Sequence, residues 1–328
     1  MLYRNGENLK KEFLHYLSNK NSITIFSPYI KATALLELLD SPNLNCEQII
    51  VRWDPKDIAM GSSDLEVYQI CKDRNITLFI NNRIHLKLYT NNFNDALLGS
   101  SNISARAISE KNNHFNYEVS TYVESISRED RLYLNRIIQE SILVTDEIYD
   151  VIKHQIPDIT PEIENIIFEL PKAIISNSDF LITKLPMIDN PALLWELYSG
   201  ISDPESSQEE NCLCHDLALY NISATALTKE EFIASLTINF LELPFIASFL
   251  KQIDESSYTN RNGEIREGLS FGAVRRWFSE NTTTAPAPRP FELTINIQIL
   301  YTWIDFLSSG KYSVTVPGRH SQVIKRNH

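Results

Sequence analysis

The chain lacks most features of secreted, membrane-bound or zinc-binding proteins. Its 328 residues include only four cysteines, and their irregular spacing argues against a disulfide framework and for a reducing compartment. No apolar run is long enough to span a bilayer, and residues 1–20 are too charged and amphipathic for a secretory signal. We therefore expect a cytoplasmic protein that is not embedded in a membrane.

One short cluster, Cys212, Cys214 and His215, contains residue types that bind metals. No second ligand pair follows at the spacing of a zinc finger, so chance or placement in a hydrophobic core is the simpler interpretation. Neither a metal nor a cofactor is expected.

Basic residues are in deficit, with 30 Lys and Arg against 42 Asp and Glu and a formal net charge of −12. Such a charge is unfavourable for binding nucleic acid by the chain as a whole. The deficit is uneven along the chain. The net charge is −12 over residues 151–260, about −4 over residues 1–150 and +4 over residues 261–328. We expect the C-terminal part to face a polyanion.

The most informative residues are His85 and Lys87. They alternate with apolar residues in a segment, 83–89, that has the pattern of a strand, so the imidazole and the ammonium point to the same face. A neutral imidazole can attack phosphorus, and a neighbouring cation can hold the phosphoryl oxygens as negative charge builds on them. The pair suits cleavage of a phosphodiester through a covalent phosphohistidine, without a metal.

A polar turn follows about a dozen residues later, after a short predicted strand at 95–98. Gly99 lets the backbone approach a bound phosphate, and Ser100 and Asn102 can donate hydrogen bonds to it. Glu118, at the start of the next apolar strand, is placed to hold an imidazole N–H. Each residue alone has an ordinary structural explanation, and the interpretation depends on their conjunction, order and spacing.

In that order, His85-x-Lys87, Gly99-Ser-x-Asn102 and Asn116-x-Glu118 resemble the HKD signature of the phospholipase D superfamily. The resemblance covers roughly residues 1–125. It implies that His85 is the nucleophile, that Lys87 and Asn102 bind the phosphate, and that Glu118 orients the histidine.

Two further stretches refine the resemblance. Residues 51–57 and 61–66 resemble the restriction-endonuclease branch of the superfamily. One position departs from the family pattern: Asn92 stands where an aspartate often follows the histidine by seven residues, with Asp95 nearby. That aspartate usually has a structural role, so the departure bears on the local turn.

The chain contains one copy of the signature, whereas the superfamily chemistry uses two histidines, one to attack phosphorus and one to protonate the leaving oxygen. His114, His154 and His215 lack a lysine two positions on. This implies a homodimer in which His85 of each subunit contributes to a single shared site on a two-fold axis.

Strands alternating with helices over residues 1–155 predict an α/β domain with a mixed sheet flanked by helices. The resemblance implies that this sheet is phospholipase D-like. Helical spacing of apolar residues predicts one long helix over 127–155 that closes it. A hinge at 156–161 would lead into a second domain, 156–328, and a 43% hydrophobic content is sufficient for two cores.

The second domain is predicted to be rich in helices and to bind DNA. Helices at 228–240, 244–253 and 270–278 precede a predicted hairpin at 312–324, an order that suggests a winged helix. Arg275 and Arg276 on the third helix, and Arg319 at the hairpin tip, are the predicted DNA contacts. A dimerisation or packing domain is the alternative, and residues 291–303 fit a strand or a helix equally.

The preferred function is a DNA endonuclease of a restriction or phage-defence system. A non-specific or RNA-directed nuclease, a lipid phosphodiesterase and a catalytically silent nucleic-acid binder are the alternatives. A lipid enzyme is expected to carry an apolar interfacial segment, and a silent binder to have lost Lys87 or Asn102. The sequence leaves open whether a helicase or a methyltransferase acts with the protein.

Overall fold

The computed structural model divides the chain into two compact units, Met1–Ser176 and Asn177–His328. The residues that it describes are 2–4, 7–108, 116–156, 179–223, 227–259, 262–316 and 322–327. The predicted division at residue 155 falls at the end of the last described helix of the first unit, and the roles of the two parts stay predictions.

The first unit is built on an eight-stranded mixed sheet. Its strands are β1 (Leu2–Arg4), β2 (Ile23–Ser27), β3 (Cys46–Val51), β4 (Thr77–Ile80), β5 (Leu88–Asn91), β6 (Asp95–Gly99), β7 (Val119–Val123) and β8 (Ile142–Leu143). They lie in the order β1-β7-β6-β5-β2-β3-β4-β8. The neighbours β2, β3 and β4 are parallel and the remaining pairs are antiparallel.

Helices cover the sheet. They are α1 (Glu7–Leu17), α2 (Ala32–Leu39), α3 (Pro55–Ala59), α4 (Glu66–Asp73), α5 (Ala105–Ile108), α6 (Arg128–Gln139) and α7 (Asp146–Gln155). Every residue of β2 is buried, as expected for a central strand with both faces covered. The predicted fold class, a mixed α/β sheet flanked by helices, is confirmed.

The single long helix predicted over residues 127–155 is wrong. The chain leaves α6 after Gln139, forms β8 and re-enters α7, whose first turn is capped by the Thr145 side chain. Ile142 and Leu143 pair with Ile80 and Phe79 of β4. This edge strand depends on a partner more than 60 residues away in the sequence, which helical spacing of apolar residues does not reveal.

Asp95 has a structural role in the first unit. Its buried carboxylate accepts hydrogen bonds from Tyr16 (3.0 Å), Lys20 (3.1 Å) and Tyr122 (2.9 Å), which joins α1 to β6 and β7. Asn92 takes a left-handed backbone conformation, with φ of 50°, in the turn between β5 and β6. Asparagine tolerates this conformation well, so the departure from the family pattern is accommodated in the turn.

The second unit is mainly helical. Its helices are α8 (Pro191–Ser199), α9 (Ser207–Leu219), α10 (Lys229–Glu242), α11 (Pro244–Asp254), α12 (Phe271–Asn281) and α13 (Leu293–Leu307), with a 3-10 turn at Ile182–Lys184. Its strands are β9 (Ser257–Thr259), β10 (Ile265–Glu267), β11 (Leu269–Ser270), β12 (Tyr312–Thr315) and β13 (Val323–Arg326).

After α11 the chain forms the hairpin β9-β10, then β11, α12, α13, β12 and β13, and β11, β13 and β12 make an antiparallel sheet in the order β11-β13-β12. The winged helix stays a prediction. Of residues 291–303, which fit a strand or a helix in the sequence, 293–303 belong to α13. Within its described span α13 carries no Lys or Arg and has one buried face, and Trp303 on that face donates a hydrogen bond to Ile188 O at 2.9 Å. This helix is therefore part of the core of the unit.

The cluster at Cys212, Cys214 and His215 is also in the core of the second unit, as the sequence favoured. His215 Nδ1 lies 2.8 Å from Asp216 and Nε2 lies 3.0 Å from Thr183 O. Asp216 also accepts hydrogen bonds from the backbone of Met187 and Ile188. The buried imidazole and carboxylate thus tie α9 to the segment after the 3-10 turn.

Among the described residues, no single helix combines the length and apolar character needed to cross a membrane. Taken together, α10 and α11 have the length and the apolar composition of a membrane span, but the two helices are bent by 71° relative to each other.

Candidate functional site

The predicted site residues of the first unit gather at one edge of the sheet. The carboxyl ends of β2, β3, β4 and β6 reach this edge, and β5 and β7 begin there because they run antiparallel to their neighbours. In open α/β sheets this edge is where ligands usually bind. The segment before β5 brings His85 and Lys87, the turn after β6 brings Ser100 and Asn102, and the segment before β7 brings Glu118.

His85 and Lys87 lie just before β5, and the predicted strand at 83–89 is shorter than expected, beginning at Leu88. Lys87 Nζ lies 3.3 Å from each ring nitrogen of His85 and 3.1 Å from its carbonyl oxygen. His85 is exposed and Lys87 is half-buried. The imidazole and the ammonium are therefore adjacent and accessible, although they lie before the strand and not within it.

The polar turn lies directly beside Lys87. Gly99 N donates a hydrogen bond to Lys87 O (3.1 Å), and Ser100 N donates one to Val119 O (3.0 Å). These bonds hold the turn between β5 and β7. A Cβ on Gly99 would lie only 2.2 Å from Val119 O, so glycine is required by the close approach of β7.

Glu118 is held by the same turn. Ser100 Oγ donates a hydrogen bond to Glu118 and accepts one from Val119 N (3.1 Å), and Asn116 Nδ2 donates one to Glu118 Oε1 (3.2 Å). Among the described residues, Ser100 and Asn116 are the hydrogen-bond partners of the Glu118 carboxylate, and His85 is not one of them. The role of Glu118 in orienting His85 therefore stays a prediction.

Asn102 follows Ser100 in the same loop. It is half-buried, its Oδ1 has no hydrogen-bond partner among the described residues, and its carbonyl oxygen accepts a bond from Ser104 N (2.9 Å) at the start of α5. The loop is fixed to the end of β2, because Ile103 pairs with Ile30. Asn102 is therefore on the same edge of the sheet as Lys87, and its role in binding phosphate stays a prediction.

Burial and two neighbouring charges shift the pKa of Lys87. Partial burial lowers the pKa of the Lys87 ammonium, and the positive charge of Arg52 lowers it further. The carboxylate of Glu118 opposes both effects and raises that pKa. Glu118 thus helps to keep Lys87 charged and able to bind an anion.

Arg52 was not singled out from the sequence as a site residue. It follows β3 and forms two hydrogen bonds to Asp57, from Nε (2.6 Å) and from Nη2 (2.7 Å), and a third bond to the Tyr29 hydroxyl. The Tyr29 ring stacks under the guanidinium, 4.7 Å from its central carbon. The bonds to Asp57 raise the pKa of Arg52 and fix a permanent positive charge close to Lys87.

The predicted DNA contacts lie in the second unit. Arg275 and Arg276 are on α12 and are exposed. Arg319 lies outside the described residues, so the structure describes the strands of the predicted hairpin but not its tip. Among the described residues of the whole chain, no group of three or more His, Cys, Asp or Glu side chains is arranged to hold a metal ion.

No family model matches the sequence, and no curated protein matches it. Solved structures give more distant likenesses. The phospholipase D family member Nuc from Salmonella typhimurium is 12% identical, with a TM-score of 0.35 and an alignment covering 44% of this chain and 97% of that one. NucT from Helicobacter pylori is 14% identical, with a TM-score of 0.33 and coverage of 44% and 99%. A phosphatidylserine synthase from Haemophilus influenzae Rd KW20 is 14% identical, with a TM-score of 0.35 and coverage of 77% and 70%.

Proposed function

We propose that the first unit is a phosphodiesterase that cleaves DNA through a covalent phosphohistidine. One observation carries the proposal: an exposed imidazole with an ammonium 3.3 Å from its ring nitrogens, beside the turn that carries Ser100 and Asn102. The imidazole supplies the nucleophile and the ammonium supplies the positive charge that phosphoryl transfer requires. Both roles are filled by side chains, so the proposed reaction is metal-independent.

In the proposed first step, a lone pair on a ring nitrogen of His85 forms a bond to phosphorus. The bridging P–O bond breaks, its electrons leave with the oxygen, and a second imidazole donates a proton to that oxygen. In the second step a water oxygen attacks phosphorus and gives its proton to the second imidazole. The N–P bond then breaks and its electrons return to His85.

Since the signature occurs once in the sequence, the second imidazole is proposed to be the partner subunit's His85, in a homodimer with one shared site. Lys87 and Asn102 would bind the phosphate, and Glu118 would orient the imidazole. Ser100 would donate to the phosphate in place of its bond to Glu118. Dilution to a monomer is then expected to abolish cleavage.

DNA is the proposed substrate, in a restriction or phage-defence system, and the second unit is the proposed DNA-binding part. This rests on the net charge of +4 over residues 261–328 and on the exposed Arg275 and Arg276. Arg319 is proposed to contribute from the hairpin tip. A helicase or methyltransferase partner would accord with this role.

The test is incubation of plasmid DNA with the protein in excess EDTA. Wild type is expected to cut, His85→Ala to bind DNA without cutting, and His154→Ala, which removes an exposed histidine from α7, to cut like wild type. Cleavage that needs magnesium, or cleavage by His85→Ala at the wild-type rate, would overturn the mechanism. If the protein hydrolyses phosphatidylcholine vesicles or RNA and leaves DNA intact, DNA is the wrong substrate.

A further inference from the structure

A cleft of about 400 Å³ opens beside His85. The loop that follows β4 forms one wall and α6 forms the other. Residues that line the cleft include Asn81, Arg83, His85, Tyr133, Arg136 and Glu140. Its volume lies within the range of ~300–1,000 Å³ that is typical of ligand pockets.

The wall formed by α6 is one face of that helix. Tyr133, Arg136, Ile137 and Glu140 follow one another at the i, i+3, i+4 and i+7 spacing that places side chains on a common face. Leu134 and other apolar residues of α6 are instead buried. Tyr133 is 56% exposed although it lines a concave surface, so its ring is available to a ligand.

The two walls are joined by Asn81, a buried residue directly after β4. Its Nδ2 donates to Ser141 Oγ (3.3 Å) and to Ile137 O (3.4 Å), and its Oδ1 accepts from Arg83 N (3.1 Å). The side chain thus connects the loop that leads to His85 with the end of α6. The cleft is therefore largely preformed, which lowers the entropic cost of binding.

The charge of the cleft favours an anion. Arg83 and Arg136 contribute two guanidinium groups, and Glu140 contributes one carboxylate, which forms a 3.0 Å ion pair with Arg83. Both members of that pair are mostly exposed, so the bond is weak and can be exchanged for a phosphate.

We propose that this cleft binds the nucleotide next to the scissile phosphate, with its base stacked on Tyr133 and its own phosphate facing Arg83 and Arg136. The inference rests on the proposed function, because the cleft reaches His85. An aromatic ring beside guanidinium groups is the combination that proteins use to hold unpaired nucleotides. A base within a duplex is already stacked, so the nucleotide in the cleft is single-stranded or locally unpaired.

The test compares wild type, Tyr133→Ala and Tyr133→Phe on a labelled single-stranded oligonucleotide in EDTA. Losing one stacked base is expected to lower kcat/KM in Tyr133→Ala about 5- to 150-fold, and the Phe variant, which keeps the ring, restores most of the loss. Replacing the base next to the cleavage position by an abasic site is expected to remove the difference between wild type and Tyr133→Ala. A Tyr133→Ala variant with the wild-type kcat/KM, or one equally impaired on the abasic substrate, would overturn the inference.

Binding separates this inference from the proposed function. The affinity of the same oligonucleotide, measured by fluorescence anisotropy with the His85→Ala background, is expected to fall in Tyr133→Ala and to be restored by Phe. If wild type cuts no phosphodiester but the affinity for the oligonucleotide depends on Tyr133, the proposed function is wrong and the inference about the cleft is supported. If cleavage occurs and affinity is independent of Tyr133, the cleft is contradicted and the function stands.

Discussion

Replacing Gly99 by alanine is expected to damage the site through the backbone. The added Cβ would lie 2.2 Å from Val119 O and 2.8 Å from Ser120 Cα, whereas ordinary contacts lie at 3.4–4 Å. Strands β6 and β7 must therefore separate locally by about 1 Å, and such overpacking typically costs about 1–3 kcal/mol of stability. The same Val119 O accepts the hydrogen bond from Ser100 N, so the displacement reaches the turn that holds Glu118.

A misplacement of about 1 Å in a positioned active site can cost on the order of 100-fold in rate. We therefore expect Gly99→Ala to lose about 1–3 kcal/mol in urea denaturation and roughly 100-fold in plasmid cleavage in EDTA. Gly272→Ala is the matched control, because a Cβ there meets nothing within 4 Å. Wild-type stability and wild-type cleavage in Gly99→Ala would refute the argument from close approach.

Two further predictions concern charge. Arg52→Gln removes a cation that lowers the pKa of Lys87, so we expect that pKa to rise and the alkaline limb of the pH profile of kcat/KM to move to higher pH. Arg52→Lys keeps the charge and is expected to leave the alkaline limb in place. An alkaline limb that moves to lower pH in Arg52→Gln would contradict this. Asp216→Ala leaves the buried His215 and two backbone N–H groups without their acceptor, and we expect a loss of about 3–5 kcal/mol in urea denaturation, against a smaller loss for Asp216→Asn. A loss under about 1 kcal/mol would mean that water replaces the carboxylate.

Much of the first unit was predictable because its sequence alternates between two periodicities. The sequence predicts helices at 7–19, 31–39 and 64–72 and strands at 22–26 and 48–52. The structure has these helices at 7–17, 32–39 and 66–73 and these strands at 23–27 and 46–51. These elements have strong local patterns: every residue of β2 is buried, and four residues of α2 face the core.

The sequence leaves a stretch wrong or undecided where a distant partner determines the structure. Residues 142–143 lie between two helices of similar apolar spacing, and only their pairing with β4 makes them a strand. In residues 291–303 alternation and helical spacing coexist, and burial of Trp303 and Ile304 favours the helix. Local pattern alone does not distinguish these outcomes.

The candidate site shows the same division. His85, Lys87 and Glu118 were singled out because their order and spacing resemble a known signature. Arg52 lies in the stretch 51–57, whose resemblance assigns it no role in the site, and Tyr133 lies in no recognised pattern. Their positions near Lys87 and His85 follow from the strand order β5-β2-β3-β4 and from the packing of α6. A cation after one strand and a tyrosine on a helix become informative only once the sheet is assembled.

The most direct measurement is a search for the strand attached to His85 during cleavage. A labelled oligonucleotide would be mixed with wild type in EDTA, the reaction quenched with alkali, and the modified peptide identified by mass spectrometry. The account predicts a transient, acid-labile adduct on His85, at no more than one strand per two chains, and none in His85→Ala. Cleavage that proceeds at every time point without a protein-bound strand would contradict it.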